Sequence, residues 1–286
     1  MGKYFEGWYC KLQNQNETIA FIPAIHGESQ TDMGSSIQII SNNLVAAANY
    51  PKNSFNLKRN KFINIGNSFF STQGAHLDIN TSNLKIQGDL KFREITPLNY
   101  DIMGPFTLVP FMECRHSVLS LSHKINGKIT INGKTTAFND DLGYIEGDRG
   151  HSFPSHYLWT QCSWKAETPC SLMLSVANIP FAATKFTGII AVILFNGKQY
   201  RMGTYFGAKI VECKNKAVTI KQGKLILTAQ LLKTQEQLLK APVKGNMSRL
   251  IRESAACSVR YIFKINNRII FDFIRDNAGF EYEFEV

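Results

Sequence analysis

A chain of 286 residues with 44% hydrophobic and 19% charged side chains is too apolar for a disordered protein and too poor in charge for a coiled coil. It has length for two domains of ~140 residues, each with its own core. The net charge of +10 admits an anionic partner, yet no block of like charges concentrates the excess.

The opening MGKYFEGWYCK lacks the apolar core of a signal peptide, and Glu6 stands where a myristoylation signal needs Ser or Thr. A cytoplasmic location is expected, peripheral to a membrane at most, with the six scattered cysteines reduced. Runs such as TIAFIPAI, SSIQII, LKIQGDLKF, SVLSLSHKI and KTTAF are short, alternating or β-branched, and are separated by turn residues, so the first half reads as strands. Asn126-Gly127, Asn132-Gly133 and Asn196-Gly197 each supply the positive φ angles of a two-residue hairpin. In the second half SLMLSVAN, GIIAVILF, KLILTAQL, SVRYIFKI and FEYEFEV repeat the style.

One short helix is predicted around residues 248–256, where Leu250 and Ile251 are flanked by charge. The most apolar stretch is 171–195, but Asn178, Pro180 and Lys185 break it into two strand-length pieces. An apolar lip of Phe181 and Phe186 touching lipid is the membrane-surface alternative. So many strands need closure or face-to-face packing. The expected fold class is therefore all-β, with two tandem antiparallel barrels or sandwiches, 1–149 and 150–286. The join lies in the polar passage GYIEGDRGHSFPSH.

That passage is also the richest in chemistry. Tyr144, Glu146 and Asp148 share one strand face, Arg149 points to the other, and His151 and Phe153 follow before Trp159 and Gln161 align on the next strand. Upstream, Glu113, Arg115 and His116 lead into a strand, with His123 as a further imidazole. Near the start, Tyr4, Glu6 and Trp8 share a face. Glu6 could simply bond backbone amides, Trp8 could plug a barrel floor, and Glu146 and Asp148 could pair with nearby cations. No phosphate-binding loop, nucleophile elbow or zinc helix is present, and no basic face interleaved with aromatics supports nucleic-acid binding. A metal site built on His151, His156 and Asp148 has no ligand spacing behind it, so no metal is expected.

Three ordered motifs, YFEGWYCK, MECRHSVLSLSH and GYIEGDRGHSFPSHYLWTQC, resemble the tocopherol cyclase family and its bacterial relatives. The resemblance implies two lipocalin-like β domains, kin to carotenoid hydratases. It also implies ring closure of a prenylated hydroquinone without a redox cofactor or metal: protonation of a trisubstituted alkene, then attack of the phenol oxygen on the tertiary cation. The sequence departs from the plant pattern at Gly147 and Arg149, where that pattern has Lys and Trp.

Such chemistry needs a neutral acid away from water, since an ordinary Asp is protonated about one time in a thousand at pH 7, a deficit of about 4 kcal/mol. Glu146 and Asp148, about 7 Å apart on one face, are the expected donors, with His116 as a competing one. Glu6, Trp8, Tyr144, His151, Phe153, Trp159 and Gln161 are the expected substrate contacts, the aromatics facing the cation. The expected partner is a hydrophobic small molecule, an isoprenoid or lipid. The alternative from another class is a non-catalytic carrier of such a ligand.

Overall fold

The computed structural model describes residues 3–29, 33–52, 54–109, 112–181, 184–234 and 237–284. A first sheet holds eleven strands. In chain order these are β1 (Tyr4–Gln13), β2 (Thr18–Gly27), β3 (Met33–Ser41), β4 (Val45–Tyr50), β5 (Phe55–Lys58), β6 (Phe62–Ile65), β7 (Ser68–Ser71), β8 (Gly74–Asn80), β9 (Lys85–Arg93), β10 (Cys114–Ile131) and β11 (Lys134–Gly150). A second sheet holds ten: β12 (Tyr157–Lys165), β13 (Pro169–Phe181), β14 (Thr184–Phe195), β15 (Lys198–Gly203), β16 (Lys209–Lys214), β17 (Ala217–Gln222), β18 (Leu225–Lys233), β19 (Gln237–Val243), β20 (Asn246–Ile265) and β21 (Arg268–Tyr282). Among the described residues there is no α-helix, only two single-turn 3-10 segments, Gly104–Leu108 and Thr204–Phe206. No helix there is long and apolar enough to cross a membrane.

Both sheets are antiparallel meanders with the same logic. The first runs β4-β3-β2-β1-β11-β10-β9-β8-β7-β6-β5 and the second β15-β14-β13-β12-β21-β20-β18-β17-β16, with β19 added on β20. In each the first strand pairs with the last, and the two edges are consecutive in sequence. The four residues 51–54 between β4 and β5 span at most about 18 Å from strand to strand, so the first sheet must curl until its edges approach. Curling hides edge strands and encloses a core. Ile19, Phe21, Ile37, Ile39, Ile63, Leu77, Ile86, Ile125 and Ile145 fill that of the first sheet. Leu158, Cys162, Leu172, Leu174, Ile189, Ala191, Ile193, Val259 and Phe263 belong to that of the second.

The compact units are not contiguous in sequence. One comprises Met1–Asp101, Cys114–Phe153 and Leu239–Leu250, the other Ile102–Glu113, Pro154–Leu238 and Ile251–Val286. The sheets change between β11 and β12, while each unit also takes in a segment from elsewhere in the chain. The segment Leu239–Leu250 is held in the first unit by backbone bonds that sequence periodicity does not reveal. Gly245 N–H donates to His151 O at 2.8 Å, Lys244 N–H to Ser152 Oγ at 2.9 Å, and Gln38 bonds both the N–H and the C=O of Lys240.

Two local expectations fail. Residues 248–256 lie within β20, not in a helix. Met247, Arg249 and Ile251 alternate in burial with more exposed neighbours, and pairing with β21 from Glu253 onward satisfies the backbone. Asn126-Gly127 is not a hairpin but an irregularity inside β10, where the register on β11 shifts between Ile125 and Asn126. Asn132-Gly133 and Asn196-Gly197 do turn, with φ of 47° and 85° and of 48° and 71°. They close the β10–β11 and β14–β15 hairpins.

Candidate functional site

In an antiparallel sheet, directly opposed residues project to the same face. The register of β1 and β10 on either side of β11 therefore defines a row-by-row site in the first unit. Asp148 is opposed by Gly7 and His116, Glu146 by Tyr9 and Val118, and Tyr144 by Lys11. The alternate face carries Trp8, Gly147 and Ser117 in one row and Glu6, Arg149 and Arg115 in the next. Tyr144, Glu146 and Asp148 do share a face, as their spacing predicts, with Arg149 on the other. His116 joins them from β10.

The contacts form a chain. Asp148 Oδ1 lies 2.9 Å from His116 Nδ1 and accepts the Cys114 thiol at 3.4 Å. His116 Nε2 lies 3.3 Å from Glu146 Oε2, at ion-pair range but without an aligned hydrogen bond. Tyr144 donates its hydroxyl to the same Glu146 oxygen at 2.6 Å. Glu146 is 4% exposed and Tyr144 1%. Burial by itself would depress the His116 pKa, but the two carboxylates outweigh it and hold the imidazolium well above its ordinary 6.5. Burial, and then the Glu146 carboxylate, raise the Tyr144 phenol well above its ordinary 10, so it remains a donor. The arrangement is a protonated imidazole suspended between two acids, with its Nε2 proton buried and poorly spent.

His116 stands between the two acids, so each acts on the imidazole. A raised folded-state pKa means that His116 stabilises the fold fully below pH 6.5, and this is lost as pH rises through the raised value. Asp148→Asn removes one counter-charge, so denaturant unfolding should show this variant losing stability on the alkaline side at lower pH than the wild type.

Two expected contacts leave this face. Glu6 and Trp8 are on the opposite face of β1: Trp8 is packed in the core with Cys10 and Leu12, and Glu6 accepts the Tyr4 hydroxyl with Arg59 Nε 3.7 Å away. Tyr4 is pushed up to about 12 by burial and by that carboxylate. Trp159 and Gln161 belong to the second unit, on β12, where Gln161 donates to Ser163 Oγ at 2.8 Å. Backbone bonding of His151 O to Gly245 fixes the start of the linker. Phe153 packs edge-on against Phe5, ring centres 5.5 Å apart. Since Phe5 opposes Cys114's partner Gly150, Phe153 flanks the Asp148 end of the site face.

Tyr9 and Lys11 were missed. Both are buried, Lys11 at 1% exposure, and both stand on the Glu146 side. The signal was present in WYCKL, where Trp8, Cys10 and Leu12 make a continuous apolar face and leave Tyr9 and Lys11 for the other. His123, by contrast, is a packed core imidazole: Nδ1 is 3.0 Å from Ser120 Oγ, its ring lies 4.5 Å from that of Phe92, and burial lowers its pKa to about 3. It fits because position 143 is glycine, where a Cβ would lie 2.1 Å from His123 Nε2. Gly143→Ala should therefore displace the imidazole and cost about 1 to 3 kcal/mol in urea unfolding.

His116, Glu146 and Asp148 also offer ligand atoms within 4.8 Å of one another, a composition suited to a divalent cation. Both imidazole nitrogens face the carboxylates, so a cation would have to replace the His116 proton network.

Taken with the paired meanders, these features define an all-β protein of the lipocalin-like fold found in kievitone hydratase and CghA. No protein-family model matches the sequence, and no curated protein is similar enough to match it. Among solved structures, kievitone hydratase from Nectria haematococca aligns at 12% identity over 98% of this chain and 89% of its own, with a TM-score of 0.56. CghA in complex with Sch210972 aligns at 9% identity over 98% and 88%, TM-score 0.61. A Nitrosomonas europaea protein provisionally assigned as AttH aligns at 8% identity over 100% and 93%, TM-score 0.57. At these identities the likeness is one of fold.

Proposed function

We propose that the chain is an enzyme that adds an oxygen nucleophile to a carbon–carbon double bond of a hydrophobic substrate by proton donation from the His116–Glu146 pair. The observation that carries this reading is the buried His116 ring, bracketed by Asp148 and Glu146, with Tyr144 on the same Glu146 oxygen that faces it. Passing the Nε2 proton to Glu146 neutralises two buried charges at once. The neutral acid then protonates the alkene carbon, giving the more substituted cation. An oxygen nucleophile attacks that cation, and its proton returns to the pair, so the catalyst is restored. With a phenol of the substrate itself as nucleophile the reaction is ring closure of a prenylated hydroquinone to a chromanol, an isomerisation. With water it is hydration. The fold it shares with a protein named as a hydratase supports this class of chemistry.

Incubation with a prenylated hydroquinone, followed by mass analysis, tests the reading. A product of unchanged mass lacking the alkene signal is expected, or one heavier by a water if the nucleophile is external. Recovery of the unchanged compound bound to the protein would make it a carrier instead. Dialysis against a chelator should leave the turnover unchanged. The activity should fall as pH rises through the raised His116 pKa, and Asp148→Asn should bring that alkaline limb to lower pH.

A further inference from the structure

The second unit carries an apolar surface that the proton chemistry does not use. Tyr205 anchors it: its hydroxyl donates to Ile102 O at 2.7 Å and accepts from the buried Arg201 guanidinium at 3.0 Å. Its ring lies so close to Gly104 and Gly203 that a Cβ at either would be 2.9 Å from it. Phe106 packs edge-on against Tyr205 and at a tilt against Phe186, ring centres 5.6 Å apart in each case, and Phe206 lies 4.6 Å from Tyr205. From this fixed aromatic base Leu108 projects at 85% exposure and Phe206 at 48%; the other large exposed hydrophobics among the described residues reach 63% at most.

The described segments that build this surface, 102–109, 186–188 and 203–209, contain no Asp or Glu, and their one charged residue is Lys209. The whole chain carries +10. Contiguous apolar side chains kept in water mark an interaction surface. Five side chains fall far short of the roughly 20 to 30 residues per partner of a stable protein interface. An aromatic and aliphatic tip, carried on segments that hold lysine and no carboxylate, matches a membrane interface with negative headgroups. We propose that this face docks onto an anionic lipid bilayer, with Leu108 and Phe206 entering the headgroup boundary. The side chain of Phe181, the other half of the lip expected from sequence, lies outside the described residues, and Phe186 contributes through Phe106.

Sedimentation of the full chain with vesicles of phosphatidylcholine and phosphatidylglycerol, and with phosphatidylcholine alone, tests this. Tighter partitioning to the anionic vesicles is expected, reduced about tenfold by Leu108→Asp or by Phe206→Asp. Leu250→Asp, at an apolar position 57% exposed in the first unit, should leave it unchanged. Because Leu108 is exposed, its variant should keep the wild-type melting temperature. Failure of the wild type to sediment with anionic vesicles, equal loss in Leu250→Asp, or loss of self-association in place of vesicle binding would each overturn the proposal.

Discussion

Glu146→Gln is expected to lower kcat on a prenylated hydroquinone by about a hundredfold to ten-thousandfold, the usual weight of a positioned acid, and to lower stability at neutral and alkaline pH, because His116 loses one of its two counter-charges. Glutamine has the same shape and can still accept the Tyr144 hydroxyl that now reaches Oε2. It cannot take a proton from His116 and hand it to carbon. His116 would then keep Asp148 as its single counter-charge at 2.9 Å, so its pKa should fall while remaining sensitive to Asp148. Initial rates across pH, with unfolding curves for the same samples, separate the two effects. An unchanged rate in a properly folded Glu146→Gln protein would remove Glu146 from the chemistry.

The second large effect concerns stability in acid. His123 is buried and neutral, with its pKa lowered to about 3, whereas in the unfolded chain it takes a proton near 6.5. The folded-state pKa is the lower one, so this group's contribution is intact above pH 6.5 and is lost as pH falls from there toward 3. Each pH unit costs about 1.4 kcal/mol, or about 5 kcal/mol over the whole interval. His123→Phe keeps a ring against Phe92 and abolishes the titration. Urea unfolding at pH 7.5 and 4.5 should show the wild type losing about 2.5 to 3 kcal/mol more than the variant between the two conditions. Equal losses would mean that His123 accepts a proton in the folded state.

These two histidines, seven residues apart on β10, show where sequence reading reaches its limit. Their strand was legible from SVLSLSHKI, as was the alternation that puts Tyr144, Glu146 and Asp148 on one face of β11. What alternation within one strand cannot supply is the register between strands. The irregularities of β10, between Val118 and Ser120 and again between Ser120 and His123, decide that His116 meets two acids while His123 meets Gly143. On β1 the same gap placed Glu6 and Trp8 in the site, although the register assigns Tyr9 and Lys11 to it. The charge-flanked apolar pair Leu250 and Ile251 suggested a helix because Arg and Glu favour helices locally, but pairing with a long partner strand outweighs so weak a preference. The exchanged segment Leu239–Leu250 depends on contacts such as Gln38 with Lys240, 202 positions apart, which no local pattern encodes.

A charged His116 held out of water between Glu146 and Asp148 is the feature on which the proposed chemistry depends. Nitrogen-detected NMR of the histidine rings at pH 7.5 measures that state directly. Both ring nitrogens of His116 should carry protons, with titration displaced to well above 6.5 and returned toward the ordinary value in Asp148→Asn. A His116 that is neutral at pH 7.5 and titrates like a free imidazole would contradict it.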